Sequence, residues 1–324
     1  MKNPYYTGPV TDHFDGLRFS NSGKSSDKSL RTVLRWRMAG EAKPWPKGRA
    51  ALPPDRPPQR SEALRLSFVG HASFLLQVAG FNILFDPVWS ERVSPFRRIG
   101  PKRIDPPGIA FEDLPPIDAV LLTHNHYDHM DLDTLRRLQA AHRPRFVTPL
   151  GNDTILRRAI EGAETTVGDW GGTVALSDRV NAVFTPANHW SARSIRDRRM
   201  ALWSGFVIQT AERRLYHSGD TGYGDGSIFR AIGETFGGFD LALLPIGAYE
   251  PRWFMGDQHA SPADSVQILE DVRAARALGF HWGTFNLSDE GLEQPVADLA
   301  AALDAAGLDG SRFQPMRPGE HVSL

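Results

Sequence analysis

Cysteine is absent from the 324 residues, which excludes disulfide scaffolds, thiolate metal sites and a cysteine nucleophile. Any metal the chain holds must therefore sit on His, Asp or Glu. Long apolar runs are missing too. Stretches such as 119–122 and 241–244 have the length of buried strands, well short of the ~18 apolar residues of a membrane span. The opening MKNPYYTGPVTDHFDG lacks the apolar segment of a secretory signal, so a cytoplasmic location is expected, with peripheral contact at the inner membrane surface left open. Nor is there an excess of one charge: 37 basic and 38 acidic residues leave a formal net charge of −1. That balance argues against a protein organised around nucleic-acid phosphates, and no nucleic-acid partner is expected.

The charge that is present is unevenly spread. Residues 1–60 hold 12 Lys/Arg against five acids, a balance of +7 that leaves −8 for the remainder. Two readings stay open: an arm that meets an anionic surface such as phospholipid headgroups, or an arm packed on the main domain. Within it RTVLRWRM (31–38) interleaves Arg with Val, Leu, Trp and Met, the pattern of a short interfacial helix. Residues 20–28 are Ser/Gly/Lys-rich and expected to be a mobile loop. Residues 44–58 contain six prolines and are expected to be an extended linker. The expected division is a basic, Pro-rich extension over 1–62 and one globular domain over 63–324.

Past the linker the pattern becomes alternating. Leu64, Leu66 and Phe68, then Phe74, Leu76 and Val78, then Phe81, Ile83 and Phe85 predict antiparallel strands, with a turn at Ala79-Gly80 and an end at Asp86-Pro87. Further strands are expected at 119–123, 145–149, 181–186, 201–210, 214–220, 240–247 and 278–285. Helices are expected over 131–142 and over 261–275, the second with Ser261 as N-cap, Pro262 at N1 and Asp264 at N3. The mixture suggests sheets covered by helices.

Between the strand 119–123 and the helix from 131 lies THNHYDH (123–129). His124 and His126 can face one ion there, and Asp128 and His129 a second, with imidazole and carboxylate as natural ligands of zinc-like ions. Three His within six residues are hard to explain as a mere polar loop. One loop cannot close two sites, and His189, Asp220 and His281 each stand where an expected strand runs out.

HxHxDH followed by a single His, a single Asp and a last His resembles the ligand order of the metallo-β-lactamase superfamily. LTHNHYDHMD, FTPANHW, SGDTGY, IGAYEPRWFMGDQHASP and HWGTF, together with FVGHASFLLQ, ILFDPVWSERVSP and GPKR, more narrowly resemble N-acylphosphatidylethanolamine-hydrolysing phospholipases D and their bacterial relatives, over about residues 64–290. The resemblance implies an α/β fold, a four-layer αβ/βα sandwich of two mixed β-sheets flanked by helices. It implies two Zn2+ per chain, with Fe or Mn as alternatives. His124, His126 and His189 would hold one ion, Asp128, His129 and His281 the other, and Asp220 would bridge them. A hydroxide shared by the ions would attack the phosphorus of an N-acylphosphatidylethanolamine-like lipid, giving phosphatidic acid and an N-acylethanolamine. Asp128, Asp220 and His259 are the expected catalytic groups. No protein nucleophile is needed, in keeping with the absence of Cys and of a GxSxG elbow.

Around these ligands Asp86 is expected to orient an imidazole, with a simple Asp-Pro turn as the other reading. His71, in GHAS, is a candidate for the same outer role. Gln258 and His259 are expected near the phosphate, Tyr127 and Tyr223 near the substrate, and Trp253, Phe254 and Met255 along an acyl chain, although packing explains the tyrosines and aromatics as well. His13, His142, His217 and His321 match no ligand role. Two other functions are carried forward: a metal-dependent lactonase or phosphodiesterase acting on a small soluble substrate, and a metal-binding, envelope-associated regulatory protein.

Overall fold

The structure is a computed structural model in which residues 2–21, 28–96 and 98–324 are described. The alternation after the linker folds as the meander β1 (Arg65–Gly70), β2 (Ser73–Val78) and β3 (Phe81–Phe85). Ala79 and Gly80, with φ of 51° and 74°, form the tight turn between β2 and β3, the left-handed pair that matches the twist of a hairpin. The chain then runs parallel through β4 (Ala119–Leu121), β5 (Arg145–Pro149) and β6 (Thr165–Gly168).

A second sheet is built from β7 (Thr173–Ala175), β8 (Asn181–Thr185), β9 (Gly205–Gln209) and β10 (Arg214–His217), all antiparallel. It continues in parallel through β11 (Leu241–Pro245), β12 (Ala277–Phe280) and β13 (Phe313–Pro315). The chain finally returns to the first sheet as β14 (His321–Ser323), antiparallel to β1. Each sheet has seven strands, in the orders β14-β1-β2-β3-β4-β5-β6 and β13-β12-β11-β10-β9-β8-β7.

Three apolar clusters make four layers of this. Phe68, Phe74, Phe85, Phe184, Phe206 and Phe280 meet between the sheets. Helices α2 (Leu132–His142) and α3 (Asn152–Ala159) cover the outer face of the first sheet through Leu135, Leu138, Ile155 and Leu156. Helices α4 (Ser227–Phe236), α6 (Pro262–Asp271) and α7 (Gln294–Ala306) cover the second through Phe229, Val266, Leu269 and Leu299. The expected capping box at Ser261 and Asp264 is present, both hydrogen bonds being made.

Several boundaries differ from the expected ones. The helix begun at Pro262 stops at Asp271 rather than 275, because Arg273 takes a left-handed φ of 58° and turns the chain toward β12. The strand expected over 201–210 begins only at Gly205; Leu202 and Ser204 instead donate their backbone N–H to Leu150 and Thr123, just past the ends of β5 and β4. The strand expected over 278–285 ends at Phe280, since His281 has a φ of 64°. Helix α1 (Leu30–Ala39), capped by Ser29, forms around RTVLRWRM, and a short α5 (Arg252–Met255) faces it. Of the loop expected over 20–28, residues 22–27 lie outside the described residues. Among the described residues no helix is long and apolar enough to cross a membrane.

Candidate metal centre

The strand ends of both sheets converge on one polar cluster. His71 follows β1, Asp86 follows β3 and THNHYDH follows β4; His189 follows β8, Asp220 follows β10 and His281 follows β12. Four overlapping groups of potential ligands result, the donor atoms of each lying within 4.8 Å of one another: His124, His126 and His189; His71, Asp128, His129 and His281; His124, His129 and Asp220; and His189, Asp220 and His259.

Distances define the geometry. His126 Nδ1 lies 2.8 Å from His124 Nε2 and 3.2 Å from His189 Nε2. Asp220 Oδ2 lies 3.1 Å from Nε2 of both His129 and His281, 3.7 Å from Nε2 of His189 and 4.0 Å from Nε2 of His124. Asp128 Oδ2 lies 3.5 Å from His281 Nε2 and 3.7 Å from His129 Nε2. The seven residues carried over from the motif pattern are thus brought together, and Asp220 faces both groups.

The far ring nitrogens are tied back. His129 Nδ1 donates to Asp86 Oδ2 at 2.7 Å, and His189 Nδ1 donates to the Gln258 carbonyl at 3.0 Å. Asp86 also accepts from Thr123 N and Thr123 Oγ1 at 2.8 and 2.6 Å. Its backbone φ of 38° is a strained conformation for a non-glycine, held by those bonds. This carboxylate therefore contacts a cluster imidazole rather than merely making a turn. His71 Nε2 donates to Asp128 Oδ2 at 2.9 Å, so it touches the cluster directly.

The residues fit divalent cations on a structural test. His126 Nε2, His129 Nε2, both ring nitrogens of His281, Asp220 Oδ1 and His259 Nδ1 are buried without a hydrogen-bond partner. Each such atom left unsatisfied costs about 1–3 kcal/mol, and the imidazole nitrogens of His124, His126 and His189, set 2.8–3.2 Å apart, meet where either a shared proton or a shared cation must lie between them. Nitrogen and oxygen donors of this kind suit zinc, iron or manganese.

Burial pushes the His126 and His189 imidazoles down to about 3 and His124 well below its ordinary value, which keeps them in the neutral, ligating form. Burial also opposes charge on His129 and His281. There the carboxylates of Asp220 and Asp128 outweigh it, raising His129 well above the usual range and His281 to about 9.

Other expected residues are placed less uniformly. His259 stands 5.2 Å from His189 and 5.3 Å from His281, ring centre to ring centre, and Arg252 Nη1 donates to its carbonyl. Gln258 is buried beside it. Tyr127 spends its hydroxyl on the Arg193 carbonyl at 2.8 Å, under the guanidinium of the same arginine. Tyr223 is not brought to the cluster; its hydroxyl donates to Asp271 at 2.8 Å. Trp253 is half exposed, whereas Phe254 and Met255 are buried.

Sequence reasoning missed several supports: Thr123, Trp190 with its ring 4.4 Å from His126, and His217, whose Nδ1 accepts from Gly219 N in the turn that presents Asp220. Adjacency to a ligand was the only signal available for them.

The N-terminal residues also reach this region. Asn3 Nδ2 donates to the Met200 carbonyl, Tyr5 Oη to Asp197, and His13 contacts Asp169 at 2.8 Å. Phe14 and Phe19 are buried with Ala187, Leu202 and Trp203.

Residues 81–282 match the family model of a beta-lactamase superfamily domain. Over 264 residues the chain is 37% identical to N-acyl-phosphatidylethanolamine-hydrolyzing phospholipase D 1 of Caenorhabditis elegans, covering 78% of this chain and 74% of that protein. An uncharacterised protein of Mycobacterium tuberculosis is 38% identical over 271 residues, 80% of this chain and 71% of the other. In fold, the isothiocyanate hydrolase from Delia radicum gut bacteria superposes with a TM-score of 0.62 at 21% identity, over 80% of this chain and 100% of that one. By sequence over most of both sheets, and by fold, the chain belongs to the metallo-β-lactamase superfamily and is a metal-dependent hydrolase of that family.

Proposed function

We propose that the protein is a zinc-dependent phosphodiesterase of phospholipase D type, acting on N-acylphosphatidylethanolamine-like phospholipids. The arrangement that carries this reading is Asp220 Oδ2 facing imidazole nitrogens of both groups, 3.1 Å from His129 and His281 and 3.7 Å from His189. His124, His126 and His189 would hold one ion, Asp128, His129 and His281 the other, with Asp220 shared. Two such cations, when bound, supply Lewis acidity at the phosphate and bring the pKa of a water toward neutrality.

The protein's own part is to hold and orient. Asp86 fixes the His129 ring through Nδ1, the Gln258 carbonyl fixes His189, and His71 fixes Asp128. His259, facing His189 and Asp220, hydrogen-bonds a phosphate oxygen. Water adds to phosphorus and gives up one proton, the P–O bond to the ethanolamine oxygen breaks, and that oxygen takes up a proton in its place, leaving phosphatidic acid and an N-acylethanolamine.

The lipid substrate is supported by the name of the nematode relative and by where exposed apolar side chains stand. Leu34 and Met38 on α1 and Trp253 on α5 are exposed, and Arg35 lies over the Trp253 ring. Phe96, Ile99 and Ile195 are exposed on the loops next to Tyr127 and Arg193. Apolar tips interleaved with arginine suit peripheral contact with an anionic bilayer.

The test offers the metal-loaded protein N-acylphosphatidylethanolamine in mixed micelles, bis(p-nitrophenyl) phosphate and a small lactone, with products followed by mass spectrometry. Release of phosphatidic acid at a kcat/KM well above that for the soluble substrates is the expected result. Turnover of the soluble diester or lactone alone would replace the lipid reading with that of a small-molecule hydrolase. Co-sedimentation with anionic vesicles at low salt checks the membrane contact, and its absence removes that part.

A further inference from the structure

The first twenty-one residues lie outside the stretch that matches the family model, which begins at residue 81, yet one of them touches the metal centre's framework. Asn21 Nδ2 donates to the backbone carbonyl of His189 at 3.0 Å. Asn21 Oδ1 accepts from Trp203 Nε1 at 3.0 Å, and the same indole N–H reaches the Ala187 carbonyl at 2.8 Å.

Three successive carbonyls past the end of β8 are therefore held from three directions. Ala187 is held by Trp203, Asn188 by the backbone N–H of Gly222 at 2.9 Å, and His189 by Asn21. Two of these fixings come from within the domain, and the third comes from the N-terminal segment. The segment is itself anchored beside it: Phe14 and Phe19 are buried against Ala187, Leu202 and Trp203, and Phe19 N donates to the Arg199 carbonyl at 2.7 Å.

We infer that Asn21 is a positioning residue for the metal held by His124, His126 and His189. The N-terminal segment is then part of that ion's site. The inference rests on the ligand role proposed for His189. The physical argument is orientation. The His189 ring is fixed at Nδ1 by the Gln258 carbonyl, but its distance from His126 depends on where its backbone sits. With Asn21 Nδ2 gone, the His189 carbonyl loses its donor, while Ala187 and Asn188 keep their hydrogen bonds with Trp203, Gly222 and Thr221. Groups that orient a metal ligand in this way typically change affinity about 10–100-fold when removed.

The test is a stepwise titration of the full chain with Co2+ against a chelator, with the visible spectrum recorded at each step. In Asn21→Ala one of the two steps weakens about tenfold or more and its d–d bands shift, while the other step keeps its affinity. Asn21→Asp keeps the acceptor for Trp203 but has no proton for the His189 carbonyl, so it reproduces the change and serves if the alanine variant fails to fold. Asn3→Ala is the structural control: it removes the donor to the Met200 and Leu17 carbonyls, lowers Tm and leaves both steps alone. Should Asn21→Ala lower Tm like Asn3→Ala and leave both steps intact, or weaken both equally, the inference is overturned. His189→Ala separates the two levels: if it leaves both steps unchanged, the ligand reading itself has failed, whatever Asn21 does.

Discussion

Polar groups are treated in opposite ways at the metal centre and in the N-terminal sixty residues. In the centre, nitrogens of His126, His129, His259 and His281 and an oxygen of Asp220 are buried without hydrogen bonds. In the N-terminal stretch, polar groups are matched one to one across long sequence distances. Asn3 Nδ2 meets the Leu17 and Met200 carbonyls, Arg49 Nε meets Asp105 at 2.6 Å, and Asp55 takes both terminal nitrogens of Arg65 at 2.7 and 2.9 Å. A matched group stabilises the fold, whereas a buried unmatched one costs free energy that a ligand must offset. The two regions should therefore answer mutation in opposite currencies, chemistry in one and stability in the other.

The largest effect is expected at the shared carboxylate. Asp220→Asn should lose both metal occupancy and hydrolysis, by more than the 10–100-fold typical of an outer partner. The metal-free Tm should hold steady, because without the Asp220 carboxylate burial returns His129 and His281 toward their neutral form, so no imidazolium is left uncompensated. Elemental analysis and scanning calorimetry, each with and without chelator, check this. In the wild type chelation should lower Tm, since the ions bind only the folded chain; in the variant chelation should do nothing. A metal-free variant markedly less stable than the metal-free wild type would break the comparison.

Next comes Asp86→Asn, which leaves His129 Nδ1 with a neutral acceptor. One metal step should weaken by about 10–100-fold, as read by chelator competition, with the step governed by His124, His126 and His189 little changed.

In the N-terminal stretch Asp55→Asn should leave metal binding untouched and cost about 1–3 kcal/mol of stability at neutral pH, the price of leaving a partly buried guanidinium unmatched. Burial pushes the Asp55 carboxyl up, but hydrogen bonds from Arg65 and Ser67 and the charge of Arg65 hold it below its ordinary value. A depressed carboxylate contributes stability above the unfolded pKa of about 3.9 and loses it as pH falls through the folded one. The gap in urea midpoint between wild type and variant should thus be constant from neutral pH down to about 5 and close in more acid solution. A gap that persisted in acid would show that the carboxylate charge is not what matters.

The smallest effect is expected for Trp45→Phe, which removes one hydrogen bond, from Nε1 to the Glu290 carbonyl at 3.1 Å. About 1 kcal/mol of stability should go, with kcat/KM unchanged.

What could be read beforehand follows the same physical line. THNHYDH announced itself because several ligand types sit on one loop, and His189, Asp220 and His281 could be added because strand ends are where side chains leave a sheet. The hairpin from β1 to β3 was legible because alternation encodes which face is buried. Burial does not encode a partner, however. Nothing in HVS (321–323) says that it pairs with β1, and nothing in Asn21 says that its amide meets the His189 carbonyl. Helices α3, α4 and α7 went unread because none opens on a side-chain N-cap, the start signal that Asp131 and Ser261 give to α2 and α6. The charge count of the arm said nothing of Phe14 and Phe19, which are buried in the domain.

The pairing of Ser67 with His321 also has a bearing on synthesis. A ribosome releases β1 long before β14, so the outer edge of β1 must wait, its amides and carbonyls open, while the rest of both sheets is made. An open strand edge is a template for wrong pairing, and closing such a distant contact is slow because of the loop entropy involved. Folding of this protein should therefore be limited by the closure of β14 on β1, and a variant that weakens this pairing should lower the folded yield.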